Sequence, residues 1–320
     1  METGLMDLEK LQNIVINVFG NDYIIDSSEK LLGGAKKQVY KIHCLNDFVF
    51  VLYVWHESIS YFDETASMFT SNSACLFEIN NDFMVKNMIS TPKLYFMDRA
   101  KKEQGYEFAF VEYIDGYALD FVIDEYPERI EPIFESLNES IQRMNSVKRL
   151  QAGTIDNPLQ DFSCKDYILC NAEKEIGYLI QNYSPIADIK NQVLTCLSCL
   201  HQKCGDTSSY SFIHNELGPE HVMVDKNNIA YLIDIEGAKF FDAEYEHSYL
   251  KMRFGENYRY LDNKTLCYNK LEFYSFCHYI QILQGAHELS TKNYYDMDDV
   301  NGMISFGFSQ IKSYCSKYAV

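Results

Sequence analysis

The sequence predicts an α+β fold in two parts, a sheet-rich part over residues 1–114 and a larger, mainly helical part over residues 115–320. Three observations carry that reading. Strand-like segments, Leu31–Ile42, Phe48–Trp55 and Tyr106–Ile114, all precede Asp115. Helical spacing of apolar residues dominates beyond Gly116, and one hairpin-like stretch, Ser211–Asp234, interrupts those helices. With 320 residues and 47% apolar composition, the chain can bury a core in each part.

The elements follow in order. Leu8, Leu11, Ile14, Val15 and Val18 repeat at helical spacing, so Met6–Phe19 is expected as an amphipathic helix. In Leu31–Tyr40 the pair Gly33–Gly34 separates two strand-like stretches, and Phe48–Trp55 (FVFVLYVW) continues the sheet after the turn signals Asn46 and Asp47. Helix-compatible residues run from Asp63 to Met88 and stop at Ser90, Thr91 and Pro92, ahead of a short strand Lys93–Met97. Asp98–Gly105 is a charged turn, and Tyr106–Ile114 alternates again before Asp115 and Gly116, where the boundary between the two parts is placed. Helices are expected near Glu128–Met144, Asp166–Gln181, Pro185–Gln202, Thr265–Leu283 and Val300–Ser316, with another starting at Ala243.

Composition narrows the function. An excess of 46 acidic over 28 basic residues, a formal charge of −18, opposes nucleic acid and anionic membranes as partners; it suits a cationic small molecule and equally a plain acidic surface. The longest purely apolar run, Phe48–Trp55, falls far short of the roughly 20 residues that span a bilayer. The N-terminus METGLMDLEK lacks the basic start and apolar stretch of a secretory signal, so a cytoplasmic location is expected, with its cysteines reduced. The spacing of Cys196, Cys199, His201 and Cys204 suggests zinc, but the helical context and the lack of a matching second ligand pair favour buried helix cysteines.

Chemistry concentrates in FIHNELGPEHVMVD, Phe212–Asp225, and YLIDIEGAKFFD, Tyr231–Asp242. A His-x-acid loop leads into a hairpin whose second strand runs into an Asp, which would gather Glu216, His221 and Asp234. Oxygen and imidazole groups at the ends of one hairpin can share a metal ion. A zinc hydrolase built on His214 and His221 is disfavoured, because the pair lacks the i, i+4 helical spacing of common zinc proteases.

These segments resemble the catalytic loop and metal-binding strand of the aminoglycoside phosphotransferase family and related small-molecule kinases. The resemblance covers most of the chain, roughly Leu31–Phe254, with its specific motifs between His214 and Asp242. It implies a protein-kinase-like two-lobed fold, a nucleotide-binding lobe over residues 1–114 and a catalytic and acceptor-binding lobe over 115–320, and an enzyme that moves the γ-phosphate of ATP or GTP to a hydroxyl of a small molecule with Mg2+. By that resemblance Asp234 and His221 bind the metal with help from Glu236, Glu216 orients or deprotonates the acceptor hydroxyl, and His214 is a structural member of the loop. Asp242 matches a position that braces the loop. Gly33 and Gly34 correspond to a loop over phosphates, Glu78 to the helix glutamate, and Glu112, Tyr113 and Ile114 to the linker that receives the base through backbone groups.

Two departures stand out. Glu216 occupies the place of the family's loop Asp, which moves the carboxylate by about 1.5 Å. Tyr53 occupies the place of the strand lysine that contacts phosphates, with Lys36, Lys37 and Lys41 as nearby cations. His221, where Asn is usual, resembles the branch acting on the 2'' hydroxyl of aminoglycosides. The departures define a second reading, a kinase-like protein that binds nucleotide or metabolite without turnover.

Overall fold

The computed structural model describes residues 8–31, 37–55, 74–100, 106–292 and 296–318. In chain order, the elements begin with α1 (Leu8–Phe19), β1 (Ile25–Leu31), β2 (Lys37–Cys44), β3 (Val49–Trp55), α2 (Ala74–Lys86), β4 (Leu94–Asp98), β5 (Glu107–Glu112) and β6 (Gly116–Ala118). Helices α3 (Leu119–Glu125) and α4 (Ile130–Ser146) precede three two-residue strands, β7 (Lys148–Arg149), β8 (Ala152–Gly153) and β9 (Pro158–Leu159). Next come α5 (Cys164–Asn182), α6 (Ser184–Asp188), α7 (Lys190–Gln202), β10 (Tyr210–Ile213), β11 (Val222–Asp225), β12 (Ala230–Leu232) and β13 (Lys239–Phe241). The last helices are α8 (Ala243–Phe254), α9 (Tyr268–Ser290) and α10 (Met297–Tyr318). None of the described helices is long and apolar enough to cross a membrane.

The chain divides into two compact units, Met1–Met144 with Pro219–Ala238, and Asn145–Gly218 with Lys239–Val320. Gly116, the expected boundary, lies inside the first. That unit holds an antiparallel sheet in the order β1-β2-β3-β5-β4. Leu11, Ile14 and Val15 of α1 pack with Tyr40, Ile42, Phe50, Leu52, Phe108 and Phe110 from one face of this sheet, the outcome expected when a helical apolar stripe meets a period-two strand face. Strand β1, IDSSEKL, precedes the stretch in which the sequence suggested a first strand; it is a polar edge strand without a buried stripe to announce it.

The hairpin β11–β12 forms as expected, with Val222 opposite Leu232 and Val224 opposite Ala230. It gains a third strand, β6, which the sequence did not reveal because three residues carry no period. Glycine is required at position 116: a Cβ there would lie 1.8 Å from the carbonyl oxygen of Val224.

In the second unit, α9 runs through a core to which α5, α7, α8 and α10 all contribute, and it buries Phe273, Tyr274, Phe276, Ile280 and Leu283. A small antiparallel sheet, β7-β10-β13-β8-β9, presents the loop after β10. The helix expected over Pro185–Gln202 is two, α6 and α7, broken at Ile189. Cys196 is buried on α7 and Cys204 just beyond its end, and His201 pairs with Asp166 at 2.7 Å.

Candidate functional site

The first unit builds an acidic turn directly after β12. Asp234 adopts a left-handed backbone, φ 60°, and caps a 3-10 turn over Ile235–Gly237. Such a conformation is costly for most side chains and tolerated best by Asn and Asp, whose short polar groups can bond locally. The backbone leading into it is tied down. The Leu232 N–H donates to the Ser90 carbonyl at 2.9 Å, the Thr91 hydroxyl donates to the Leu232 carbonyl at 2.9 Å, and the Ile233 N–H donates to the His221 carbonyl at 3.0 Å.

Helix α2 fixes the turn itself. Phe77, Asn80, Asn81 and Met84 lie at i, i+3, i+4 and i+7 on its buried face. The fully buried Asn80 donates its side-chain amide to the carbonyls of Ile235 at 2.8 Å, Glu236 at 3.3 Å and Ala238 at 3.2 Å. Three acceptors of one turn therefore share one donor group. Glu78, on another side of α2, pairs instead with Arg99 at 3.0 Å, both partly exposed.

Lys37 completes the cluster from β2. Its ammonium donates to Asp234 Oδ1 and Glu236 Oε1, both at 2.7 Å, and lies 4.8 Å from the centre of the Tyr53 ring. Register explains the reach: Lys37 pairs with Trp55 and Val39 with Tyr53 on the adjacent strand. Burial alone would lower the lysine's pKa; Glu236 and Asp234 more than offset it, so the ammonium titrates far above its ordinary range. Burial pushes the Tyr53 hydroxyl up to about 12 despite the nearby ammonium, so it stays a neutral phenol. Lys41, on the same strand, donates to the Tyr113 hydroxyl at 2.9 Å.

Of the expected metal ligands, the structure brings His221 Nε2 within 3.6 Å of Asp234 Oδ2 and puts Glu236 beside Asp234 on the shared lysine. Among the described residues no three His, Cys, Asp or Glu side chains form a ready-made metal cage. The donor set nevertheless fits a divalent cation. Glu236 Oε2 is buried without a hydrogen-bond partner, while Asp234 is 37% exposed and keeps an approach open. Glu112 lies at the end of β5, accepting from the Lys93 N–H at 3.0 Å, with Tyr113 and the buried Ile114 following. Gly33 and Gly34 lie outside the described residues.

The second unit builds the loop after β10. His214 is buried, Asn215 takes φ 82°, and Glu216 is exposed. Glu246 of α8 holds this bend by accepting the backbone N–H groups of His214 at 2.5 Å and Asn215 at 3.3 Å. Burial raises the Glu246 pKa to about 7, against the pull of those two N–H groups and of Lys239. Lys239 on β13 is buried as well; desolvation lowers it to about 8, although Glu216, Cys164 and Glu246 favour its charge. Asp242 accepts from Thr207 at 2.7 Å, Lys270 at 2.9 Å and Tyr274 at 2.6 Å, tying α9 to the start of α8.

Sequence reasoning missed Asn80, Glu246 and Lys239, and could name Lys37 only as one of three neighbouring cations. Asn80 and Glu246 had one available signal, a polar residue on an apolar helix face, which reads as functional only when its partner is known.

No family model matches the chain, and no curated protein matches it. Solved structures do. A thermostable mutant of aminoglycoside phosphotransferase APH(4)-Ia, in ternary complex with AMP-PNP and hygromycin B, superposes with a TM-score of 0.64 at 14% identity, covering 96% of this chain and 98% of that one. The choline kinase LicA from Streptococcus pneumoniae gives 0.61 at 14% identity, covering 97% and 99%. The GDP and kanamycin complex of APH(2")-IIia gives 0.60 at 17% identity, again covering 97% and 99%. At such identities the likeness is one of fold, and over nearly its whole length this chain has the protein-kinase-like α+β fold of the aminoglycoside phosphotransferases and of choline kinase.

Proposed function

We propose that the protein is a magnesium-dependent phosphotransferase that moves the γ-phosphate of ATP or GTP to a hydroxyl of a small molecule. The observation that carries this reading is the turn after β12, where Asp234 is held in a left-handed conformation with one carboxylate oxygen near His221 and the other on a buried lysine. A strained backbone anchored from three sides and ending in a half-exposed carboxylate is a device for holding a cationic ligand. The solved neighbours in complex with AMP-PNP and hygromycin B, or with GDP and kanamycin, support a nucleotide donor and a small-molecule acceptor. The formal charge of −18 favours a cationic acceptor.

In this reading Asp234, with His221 and Glu236, holds the metal. Magnesium, when bound, neutralises the donor's phosphates as charge shifts between them. The backbone of Glu112, Tyr113 and Ile114 receives the base, with either ATP or GTP as the donor. Glu216 orients the acceptor hydroxyl and takes its proton as the new P–O bond forms, while the donor's terminal P–O bond breaks and the nucleoside diphosphate leaves. The Glu246 clamp on the His214 and Asn215 amides keeps the Glu216 loop bent. Lys239 supplies a neighbouring positive charge, itself favoured by Glu216.

The same site supports a second reading, nucleotide binding without turnover, because Lys37 already occupies the two carboxylates and Tyr53 stands on β3 in place of a cation. Purified protein with Mg2+ and ATP or GTP, offered aminoglycosides and amino alcohols, separates the two. Phosphate transfer above that of an Asp234→Asn control supports the transferase; nucleotide binding with no excess turnover selects the silent protein.

A further inference from the structure

We propose that Lys37 is the cation that receives the donor's phosphates, and that until they arrive it fills the metal's place at Asp234 and Glu236. The inference rests on the nucleotide-binding reading above and concerns how this chain manages without a lysine on β3.

The Lys37 side chain is 9% exposed, and its ammonium lies 2.7 Å from a carboxylate oxygen on each of two acids. One of those acids, Glu236, is 4% exposed and its second oxygen has no hydrogen-bond partner. The other, Asp234, is 37% exposed, so the cluster is sealed on the Glu236 side and open on the Asp234 side. An ammonium has three donors, and two are used on the carboxylates, which leaves one for an anion arriving from the open side.

Charge counting then sets the sequence of events. Two carboxylates and one ammonium sum to −1, so the cluster is stable alone but still attracts positive charge. A divalent cation binding by itself would have to sit beside Lys37 or displace it from Asp234, and like charges at such distances repel. A metal ion arriving with phosphates removes the conflict: the metal takes Asp234, and the ammonium turns to the anionic oxygens delivered with it. The Tyr53 ring, 4.8 Å from the ammonium, offers a neutral face along which the lysine can shift. Lys37 thereby couples the two ligands, so that nucleotide and metal each bind better when the other is present.

Two affinities of opposite sign test this on the full-length chain. Mn2+ is titrated by electron paramagnetic resonance without nucleotide, and ADP and GDP are titrated with Mg2+ present, for the unaltered protein and for Lys37→Met. Removing the ammonium is expected to tighten Mn2+ alone by about tenfold or more and to weaken the nucleoside diphosphate by about tenfold or more. Lys37→Met that leaves both affinities unchanged, or weakens both, overturns the proposal, since a general loss of structure lowers both affinities together. Should Lys37→Met fail to fold, the unaltered protein carries the test through the 15Nζ resonance of Lys37, assigned with the charge-preserving Lys37→Arg. That resonance should move when Mg2+ and ADP or GDP are added together and stay in place with Mg2+ alone; no movement on adding both sinks the idea. Failure of the unaltered protein to bind either diphosphate would instead remove the nucleotide-binding reading on which the inference stands.

Discussion

The Lys37 ammonium lies 2.7 Å from Asp234 Oδ1 across 197 residues of sequence. It makes the same approach to Glu236, so a single strand lysine pairs with two acids two positions apart on one turn. Removing the cation leaves two like charges facing each other in a partly buried place. Lys37→Met should therefore lower unfolding free energy by about 2–4 kcal/mol, somewhat below the full penalty for breaking a buried pair because Asp234 is 37% exposed. Urea denaturation checks it, and a loss under 1 kcal/mol (roughly that of a surface pair) would mean the cluster is solvated.

Asn80 is expected to matter more than its neutral side chain suggests. Asn80→Ala strips the donor from three carbonyls of the Ile235–Ala238 turn and should cost about 2–3 kcal/mol. Asn80→Asp should cost more, because it replaces that donor by an acceptor and adds charge near Asp234 and Glu236. The order of the two melting temperatures is the readout; an aspartate variant as stable as the alanine one would contradict the donor role.

For the Glu216 loop, Glu216→Gln keeps the shape of the side chain and removes its capacity to take a proton. Transfer of phosphate to the acceptor should fall by about 10²–10⁴-fold with nucleotide affinity unchanged, as for loss of a positioned base. Steady-state kinetics with parallel nucleotide titration decides it. Equal turnover by the variant would remove Glu216 from the chemistry.

Glu246 makes stability depend on pH. Its pKa is about 7 in the folded chain, against an ordinary 4.5. A carboxyl with a raised folded value binds its proton more tightly in the native state, so its contribution to stability is complete below the ordinary value and is lost as pH rises towards 7. The melting temperature should fall across that window, and Glu246→Gln, neutral at every pH and still able to accept a hydrogen bond, should flatten the fall. A variant whose profile tracks the unaltered protein would assign the dependence to other groups.

What could be read directly from the residues was whatever local pattern encodes. Density of β-formers marked β3, alternation marked β5, helical spacing marked α1, α4 and α5, and the two apolar runs around Asn227 and Asn228 marked the hairpin that ends near Asp234. The order of chemistry-bearing residues, from His214 through Asp234, was equally visible, as was the tyrosine at position 53. Polar β1 and three-residue β6 were not, since an edge strand without a buried face and a strand too short to show a period leave no local trace.

The tertiary structure alone decided which side chains meet. Residue types and their order already imply a kinase-like α+β arrangement with its acids after β12 and no lysine on β3. Whether the cation came from position 36, 37 or 41 depended on the register that sets Lys37 opposite Trp55. Which residue of α2 touched the acidic turn depended on the rotation of the helix, which turns Asn80 inward and leaves Glu78 to Arg99. Glu246 met the His214 amide because α8 packs against the loop, 32 residues away in sequence. A residue's neighbours along the chain fix its propensity and its face; contacts across such separations arise only when sheets pair and helices pack, and there the charge of this site was assembled.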